Sequence, residues 1–346
     1  MYISELQLRQ FRNYRDTTYT LQPDVTVIVG PNGSGKTNIL EALYVVATGK
    51  SFRDSDEHLA KHGEHEWKVT ATVDDASREV RYQRGEKSIT INDRSHKRMG
   101  RTTALPVVLF EPDHLMLIHG SPSGRRKYLD QFIMQYTPGY AATLRRYERV
   151  VAQRNRLLKR PQLDQDELFV WDVSLVELAQ KITTQRLQCL NRWNETLTAE
   201  YQRIAQRPET IQVAYSIRES DQYAHTILQQ LKAAFHHDQL TGSTSVGPHR
   251  DDYTFYLDKR DMATVASRGE IRTLLLSLKY IEADLLLAVY GAPPLLLFDD
   301  VFSELDEHRQ QQLLTTHKDN QIIITTTHAT VTAGQTIVLL KDGVAA

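Results

Sequence analysis

The chain has 346 residues, 40% of them hydrophobic and 25% charged, which fits a globular protein with more than one domain. Its 42 lysines and arginines balance 43 aspartates and glutamates, which excludes a protein held to nucleic acid by bulk positive charge. A single cysteine excludes a disulfide framework and a zinc site built from clustered cysteines.

The sequence predicts neither an export signal nor a membrane span. Its first fifteen residues include Glu5, Arg9, Arg12 and Arg15, so they lack the apolar core of a signal peptide. The longest uncharged apolar stretch, residues 285–298, contains glycine and proline and is shorter than a bilayer span. We therefore expect a cytoplasmic protein.

Strand patterns open the chain. Alternating apolar residues at 3–8 and a β-branched run at 25–29 predict two strands. Further alternation between residues 67 and 92 is consistent with an antiparallel patch.

The pattern becomes helical from Thr137. That threonine, followed by Pro138, predicts an N-cap and a first helical residue, and apolar residues recur at helical spacing as far as Leu158. A second long helix is predicted from about Glu167 to Tyr201. Cys189 lies on its apolar face, so we expect a core residue rather than a reactive thiol.

Strand patterns return after about residue 250, at 252–258, 293–298, 321–327 and 336–340. A helical middle between two α/β or β-rich ends predicts a discontinuous head domain that carries an inserted lobe. We place the head at residues 1–115 and 241–346, and a mainly helical second lobe at residues 116–240.

A phosphate-binding loop follows the strand at 25–29. Residues 30–37, GPNGSGKT, fit the pattern G-x-x-x-x-G-K-[ST] at every fixed position, and the helix-forming segment NILEALYVV follows them. Glycines let backbone N–H groups surround phosphates, towards which the helix directs its positive end. Lys36 should reach the β- and γ-phosphates of ATP, and the Thr37 hydroxyl should bind Mg²⁺. The predicted ATP-binding residues are Gly30, Pro31, Asn32, Gly33, Ser34, Gly35, Lys36 and Thr37.

A P-loop also needs an acidic residue to hold the metal. The apolar strand pattern at 295–298 ends in two carboxylates, Asp299 and Asp300. We predict that Asp299 holds Mg²⁺, directly or through water, and that Asp300 polarises the attacking water. The stretch from Lys36 to Asp299 is too long for a minimal P-loop domain, so it must contain an insertion, which matches the helical middle.

A third motif precedes the acidic strand. Residues 266–272, ASRGEIR, resemble the signature motif of ABC ATPases, a Ser-x-Gly-Gln at the start of a helix. The resemblance implies that Ser267, Arg268 and Gly269 contact the γ-phosphate of ATP held by a second protomer. Glu270 replaces the final glutamine, and a carboxylate aimed at a phosphate would be repelled. We expect it to point away or to accept the helix's own N–H groups.

Two further segments resemble ABC elements. Ser303 and Asp306, within SELD, look like the D-loop. His328 follows a strand pattern where the switch histidine of the superfamily would lie. The resemblance implies that His328 senses the γ-phosphate and joins Lys36 and Asp300 as catalytic residues.

The whole set of motifs resembles the RecF family of bacterial recombination mediators, within the ABC/SMC-type ATPases. The matching segments are LRQFRNY (8–14), GPNGSGKTNILEAL (30–43), GKSFR (49–53), FEPDHLMLIHGSPSGRRKYLD (110–130), GPHRDD (247–252) and LLLFDDVFSELD (295–306). The resemblance implies an α/β, ABC-type P-loop ATPase head, with a mixed sheet and an antiparallel β patch, and an inserted, mainly helical second lobe. It also implies ATP-dependent dimerisation and slow, DNA-stimulated ATP hydrolysis. Binding to single-stranded and gapped duplex DNA, and work with RecO and RecR to load RecA in repair and the SOS response, would follow.

Positive charge is concentrated between residues 121 and 160. That stretch has a net charge of +8, so the remainder of the chain carries −9. Several of its arginines share one face of the predicted helix, and such a stripe can neutralise DNA phosphates without reading sequence, although charge runs are often only solvated surface. The residues predicted to contact DNA are Arg125, Arg126, Lys127, Arg145, Arg149 and Arg156.

Alternative functions use some of the same motifs. A cytoplasmic ATPase subunit of an ABC transporter would contain the P-loop and the signature, whereas a small-molecule kinase would not explain residues 267–270 or the two-acid strand. His58, His62 and His65 have spacing that could gather a metal ion on a helix. Because Gly63 interrupts that segment, we predict no metal site there.

Overall fold

The computed structural model describes residues 1–100, 102–160, 162, 164–217, 222–300, 310, 319–327 and 334–339. The chain divides into two compact units. The head unit consists of Met1–His114 and Glu282–Ala346, and the helical unit consists of Leu115–Ile281.

The chain order contains runs of successive strands and runs of successive helices, so the sheets combine hairpins with long crossovers. In chain order the elements are β1 (Ile3–Phe11), β2 (Tyr14–Thr20), β3 (Val25–Val29), α1 (Lys36–Thr48), β4 (Trp67–Val73), β5 (Ala76–Gln83), β6 (Glu86–Ile91), β7 (Arg94–His96), β8 (Val107–Phe110), α2 (Met116–His119), α3 (Pro122–Tyr136), α4 (Tyr140–Leu158), α5 (Gln165–Ala205), β9 (Ile211–Tyr215), α6 (Tyr223–Ala233), α7 (Phe235–Thr241), β10 (Tyr253–Leu257), β11 (Arg260–Asp261), α8 (Met262–Val265), α9 (Arg268–Tyr290), β12 (Leu295–Asp299), β13 (Ile322–Thr326) and β14 (Gln335–Val338). Short 3₁₀ turns cover Asp56–Leu59 and Pro112–Leu115.

A parallel sheet forms the centre of the head unit. Its strand order is β14-β3-β13-β12-β8, and every neighbouring pair is parallel. The residues of β8, β12 and β13 are all buried, as the continuous apolar runs of strands covered on both faces require. The carboxyl ends of β3, β12 and β13 therefore lie side by side at one edge of the sheet.

The second sheet of the head unit is antiparallel, with the order β2-β1-β4-β5-β6-β7. Burial alternates along β4, where Trp67, Val69, Ala71 and Val73 face the core. Helix α1 packs against strands of both sheets and is buried along much of its length. The antiparallel pairing of β5 with both β4 and β6 confirms the antiparallel patch predicted at 67–92.

The helical unit contains a small sheet as well as helices. Strands β9 and β10 pair antiparallel, with β11 as the other neighbour of β10, and α5 packs on both α4 and β9. Trp193 of α5 is buried against the rings of Phe132, Tyr253 and Phe255. This aromatic cluster ties helices to the sheet in one core.

The helix predictions hold in part. The long helix expected at about 167–201 is α5, and Cys189 is buried in it, where burial raises its thiol pKa to about 12. The start predicted for the preceding helix is wrong, because Thr137 ends α3 and left-handed Gly139 (φ 82°) precedes α4. Within the described residues, no helix has both the length and the apolar character needed to cross a membrane.

The division into units also differs from the predicted domains at one boundary. The first change of unit, after His114, lies next to the predicted one. Residues 241–281, which we predicted to belong to the head, group with the helical unit. The pairing of β10 with β9 explains this, since it joins residues 253–257 to strand 211–215.

Candidate functional site

The P-loop connects β3 to α1 through backbone conformations that favour glycine. Gly33 and Gly35 have φ values of 81° and 101°, in the left-handed region. A Cβ at Gly35 would also lie 2.6 Å from the Asn13 side-chain nitrogen and 2.7 Å from the Tyr14 hydroxyl oxygen. The β1–β2 turn therefore closes against the loop, and a side chain at Gly35 would push it away.

The loop has the features of a phosphate cradle. A Cβ at Gly30 would lie 2.7 Å from Ser34 Oγ and 2.9 Å from the Leu339 carbonyl oxygen. Ser34 Oγ is buried and finds no hydrogen-bond partner among the described residues. The Gly35 carbonyl oxygen accepts from the N–H groups of Asn38 and Ile39, which leaves the N–H groups of Lys36 and Thr37 without backbone acceptors among the described residues. A nucleotide phosphate fits these unsatisfied donors.

Lys36 is the first residue of α1 and is largely buried. Its Nζ donates to the carbonyl oxygens of Gly30 at 2.7 Å and Pro31 at 3.1 Å. Burial lowers the pKa of the Lys36 ammonium, whereas the nearby charges of Asp300 and Asp299 raise it. The P-loop lysine and both acids predicted from sequence therefore lie in one place.

Thr37 and Asp299, the two residues predicted to hold Mg²⁺, are in contact. Thr37 Oγ1 lies 2.9 Å from each carboxylate oxygen of Asp299, across a sequence separation of 262 residues. Burial raises the pKa of Asp299, and hydrogen bonds from Thr325 and Thr37 oppose that shift. A hydroxyl beside a carboxylate is the ligand set that P-loop proteins offer to Mg²⁺, so these residues fit the ion.

Asp300 leaves the strand direction immediately after Asp299. Its φ of 51° is left-handed, which is unusual for a residue other than glycine, and its N–H donates to Thr325 Oγ1 at 3.0 Å. Side chains alternate across a strand only while the extended conformation continues. Because Asp300 has left the extended conformation, its side chain need not point to the face of the sheet opposite to that of Asp299.

A buried ion-pair cluster supports the P-loop helix, and sequence reasoning missed it. The Glu41 side chain is fully buried and accepts from Arg12 Nε at 2.8 Å, Arg12 Nη2 at 2.7 Å and Ser51 Oγ at 2.6 Å. The hydrogen bond to Glu41 raises the pKa of Arg12. One carboxylate thus fastens the β1–β2 turn and the segment after α1 to the P-loop helix.

Arg53 was also missed as a candidate site residue. It is 44% exposed, its Nη1 donates to Asn38 Oδ1 at 3.2 Å, and its charge lowers the pKa of Asp299. A partly exposed guanidinium beside Asn38 of the P-loop helix can contact a phosphate. In the sequence, Arg53 belongs to the family motif GKSFR, which by itself does not indicate this contact.

A cavity of about 700 Å³ lies beside the P-loop, large enough for a small ligand. Asn13 joins it to the loop, since its side-chain nitrogen donates to the Ser34 carbonyl oxygen at 3.4 Å. In the described part of the chain, no three His, Cys, Asp or Glu side chains are grouped as metal ligands, histidines 58, 62 and 65 included. The residues lining the cavity are Arg12, Asn13, Asn38, Arg53, His58, Ala60, Lys61 and His62.

The signature segment begins α9 with a reciprocal cap. Ser267 N donates to Glu270 Oε2 at 2.6 Å, and Glu270 N donates to Ser267 Oγ at 3.3 Å. Of the two orientations expected for Glu270, the structure shows the one in which its carboxylate accepts a backbone N–H group. Ser267 and Arg268 are exposed.

Gly269 has no close neighbours among the described residues. Of these, a Cβ built at Gly269 would meet only Ser267 Oγ, at 4.0 Å. Packing against the described part of the protomer therefore gives no reason for glycine, although glycine is a poor helix former. The three other ABC-like predictions, Ser303, Asp306 and His328, lie outside the described residues.

The basic residues of the helical unit separate into buried and exposed groups. Arg154, counted as part of the basic stretch, is fully buried, with its Nε 2.6 Å from Asp172 and its Nη1 2.7 Å from Asp238. Arg154 therefore belongs to the core and contributes no surface charge. The exposed basic residues of this stretch are Lys127, Arg145, Arg146, Arg149, Arg156, Lys159 and Arg160.

Two of the predicted DNA contacts already have partners within the unit. Arg125 forms a bidentate pair with Asp252, through Nε at 2.7 Å and Nη2 at 2.6 Å, and Arg126 donates to the Asp251 carbonyl oxygen at 2.8 Å. Next to these acids, His249 Nδ1 lies 2.6 Å from the Tyr147 hydroxyl. The segments GSPSGRRKYLD and GPHRDD therefore hold each other, which sequence alone did not indicate.

Comparisons with known proteins agree with this geometry. A family model described as RecF/RecN/SMC N terminal domain matches residues 2–342. The protein of Symbiobacterium thermophilum named DNA replication and repair protein RecF is 36% identical over 94% of this chain and 92% of its own length. The chain belongs to the RecF family. Its relative of the same name from Streptococcus equi subsp. zooepidemicus is 37% identical with the same coverage.

Solved structures show the family fold. The recombination mediator protein RecF–ATP of the RecFOR pathway matches all of this chain and 97% of its own, with a TM-score of 0.88 and 29% identity. An Smc head bound to a domain of ScpA matches with a TM-score of 0.55 and 17% identity, which shows the fold alone. The predicted ABC-type head with an inserted, mainly helical lobe is confirmed. The names of the relatives do not favour the transporter alternative.

Proposed function

We propose that this chain is an ATP-driven DNA-binding switch of recombinational repair and replication-gap processing. ATP closes a homodimer on single-stranded or gapped duplex DNA, and slow, DNA-stimulated hydrolysis releases it. The observation that carries the proposal is the convergence of Lys36, Thr37, Asp299 and Asp300 on the P-loop, in a chain related to RecF proteins.

The proposed nucleotide site uses groups of the head unit. The P-loop N–H groups and Lys36 bind the β- and γ-phosphates, while Thr37 and Asp299 hold Mg²⁺. When bound, Mg²⁺ neutralises charge on the phosphates. The cavity beside Asn13 and Asn38 accepts the nucleoside. A homologous structure is titled RecF–ATP, which supports ATP as the nucleotide.

Hydrolysis is assigned to Asp300, with Lys36 and His328 as the further catalytic residues. Asp300 accepts a proton from the attacking water as its oxygen approaches the γ-phosphorus. The charge of Asp300 acts on Lys36, which is the lysine expected to contact the γ-phosphate. This acid therefore lies close to where the reaction would occur.

The signature segment is proposed to act on ATP held by a second copy of the chain. Ser267 and Arg268 are exposed at the start of α9, and the described residues leave open space at Gly269. The exposed Ser267 hydroxyl can donate to a phosphate oxygen while its oxygen caps the helix. Ser303 and Asp306, as a D-loop, would contact the same partner.

The DNA surface is proposed to include the exposed side of α4. Arg145, Arg149 and Arg156 are exposed there, and Lys127 of α3 is exposed as well. Contacts of this kind bind phosphates without sequence preference. Arg125 and Arg126 contribute only if DNA replaces their contacts with Asp252 and Asp251.

Partners are proposed from the family alone. RecO and RecR would act with this chain to load RecA in repair and in the SOS response, and a structural relative is assigned to the RecFOR pathway. Such a function requires access to the chromosome, so we propose a cytoplasmic location.

Light scattering with and without ATP and Mg²⁺ tests the dimer. The wild type should shift from monomer to dimer on adding ATP. Lys36→Ala should lose nucleotide binding, whereas Ser267→Arg should bind ATP as a monomer. If the proportions of monomer and dimer in the wild type do not depend on ATP, an ATP site shared between two protomers is contradicted. Binding to single-stranded, duplex and gapped DNA, with and without ATP, tests the nucleic-acid part.

A further inference from the structure

Thr325 places one hydroxyl between the two acids of the nucleotide site. It lies on β13, beside Asp299 of the neighbouring strand β12, and it is completely buried. No sequence motif pointed to it. Its Oγ1 contacts the side chain of one acid and the backbone of the other, and it also lies 3.4 Å from the Phe298 carbonyl oxygen.

The first contact orients the carboxylate of Asp299. Thr325 Oγ1 donates to Asp299 Oδ1 at 2.8 Å, and Thr37 Oγ1 lies 2.9 Å from both oxygens of the same carboxylate. A carboxylate with two such partners has little rotational freedom. Threonine suits this task because its branched Cβ restricts the rotation about χ1.

The second contact holds the turn at Asp300. The N–H group of Asp300 donates to Thr325 Oγ1 at 3.0 Å, while Asp300 adopts a φ of 51°. Strained backbone of this kind persists only where the surroundings fix it. One hydroxyl therefore donates to the first acid and accepts from the second, so the orientations of both are linked.

We propose that Thr325 is a positioning residue that sets the Asp299 carboxylate for Mg²⁺ and the turn that directs Asp300 towards the attacking water. This proposal rests on the proposed ATPase function. Residues that orient metal-binding carboxylates affect metal affinity or activity by roughly 10–100-fold when they are replaced. A merely structural hydroxyl would affect stability alone.

Three variants separate these roles. Thr325→Val keeps the shape and branching but removes both hydrogen bonds, and Thr325→Ser keeps the hydroxyl. Thr26→Val is the matched control, since Thr26 is an equally buried threonine on β3. Among the described residues its Oγ1 accepts only a 3.3 Å hydrogen bond from Gln22 N. Thermal unfolding shows whether each variant is folded.

Mg²⁺ titration of the ATP complex and steady-state ATP hydrolysis provide the readouts. Thr325→Val should weaken Mg²⁺ binding and lower kcat by about tenfold or more, with metal-free ATP binding within about twofold of wild type. Thr325→Ser should recover most of both values, and Thr26→Val should match the wild type. Hydrogen exchange at the Asp300 amide should accelerate in Thr325→Val alone.

The outcomes distinguish the two proposals. If Thr325→Val binds Mg²⁺ and hydrolyses ATP like Thr26→Val, Thr325 has no positioning role. If Thr325→Ser is as impaired as Thr325→Val, the methyl group matters rather than the hydroxyl, and the proposal is wrong. If the wild type itself neither binds Mg²⁺–ATP nor hydrolyses it, the proposed function fails, whereas faster exchange at Asp300 would still report the hydrogen bond.

Discussion

Replacing Gly269 by alanine should stabilise the protomer and weaken the ATP-dependent dimer. Among the described residues of the protomer the new methyl group meets only Ser267 Oγ, at 4.0 Å, so none of them must move. Alanine in a helix is favoured over glycine by up to about 1 kcal/mol, which corresponds to roughly 2–4 °C in Tm for a domain of this size. A gain in stability with a loss of function indicates that the glycine is needed by something outside the protomer.

The loss follows from the space that the methyl group occupies. A phosphate in contact with Gly269 would be displaced by roughly 1 Å, and misplacements of that size cost up to about 100-fold. We expect the ATP-dependent dimer to weaken at least about tenfold, or about 1.4 kcal/mol. Light scattering over a protein concentration series with ATP measures the dimer, and thermal unfolding without nucleotide measures stability.

Gly124→Ala is the matched control. Gly124 also lies in the first turn of a helix, α3, and of the described residues a Cβ there meets only Ser121, whose Oγ lies 3.7 Å away. It should gain similar stability and dimerise normally. Normal dimerisation of Gly269→Ala would refute a phosphate contact at this glycine, and a lower Tm would show that packing within the protomer requires it.

Three other predictions concern the helical unit. Changing Arg145, Arg149 and Arg156 to Glu should weaken DNA binding and reduce the slope of log K against log salt by about 2.7, because each lost phosphate contact contributes about 0.9. Changing the exposed Arg84, Arg94 and Arg98 of the head unit to Glu controls for net charge. An equal effect of that control would contradict a DNA surface on α4. Arg154→Ala should lower the free energy of unfolding by about 3–5 kcal/mol, measured by chemical denaturation, because it leaves Asp172 and Asp238 buried without their cation. As a control, Arg156→Ala should change it by less than about 0.5 kcal/mol. Burial lowers the pKa of His249 below the ordinary histidine value of 6.5. At a pH below 6.5 the unfolded chain therefore binds a proton that the folded chain does not. As the pH falls, the free energy of unfolding should decrease by up to about 1.4 kcal/mol per pH unit. Urea denaturation at pH 7.5 and pH 5.5 should show this loss in the wild type and a smaller one in His249→Gln, while an equal loss in both would exclude His249 as the cause.

The parts of the site that sequence predicted are those encoded by contiguous residues. The P-loop lies between a strand and a helix of recognisable pattern, and Asp299 and Asp300 end an apolar strand. Because the ends of parallel strands meet at one edge of a sheet, Thr37 and Asp299 could be expected to approach each other. The Ser267–Glu270 cap was similarly accessible, since both residues belong to one turn.

The parts that sequence missed depend on partners distant in the chain. Arg154 looks like its exposed neighbours until Asp172 and Asp238 are brought to it by α5 and α7. Thr325 is one hydroxyl in an apolar strand, and only the pairing of β12 with β13 gives it a role. Glu41 likewise looks like an ordinary helix residue until Arg12 and Ser51 surround it.

The helix start predicted at Thr137 failed for a local reason. A threonine followed by proline fits a helix start, yet the same pair also ends α3 before the left-handed turn at Gly139. The sequence pattern of α4 identified the helix and part of its buried face, including Tyr147 and Leu158, but not the charged side chain of Arg154 on that face. Periodicity alone treats every arginine as polar surface, and an ion pair within the core violates that assumption.

The order of strands in the parallel sheet has a consequence for synthesis on the ribosome. Strand β3, which leads into the P-loop, pairs in the described sheet with β13 and β14, both of which follow residue 320. At 5–20 residues per second, the ribosome takes roughly 15–60 s to proceed from β3 to β13. The helical unit is translated during that interval, with its own core complete in sequence. The P-loop strand, an apolar VTVIV segment, therefore emerges early and must remain unpaired and protected from aggregation until its neighbours have been made.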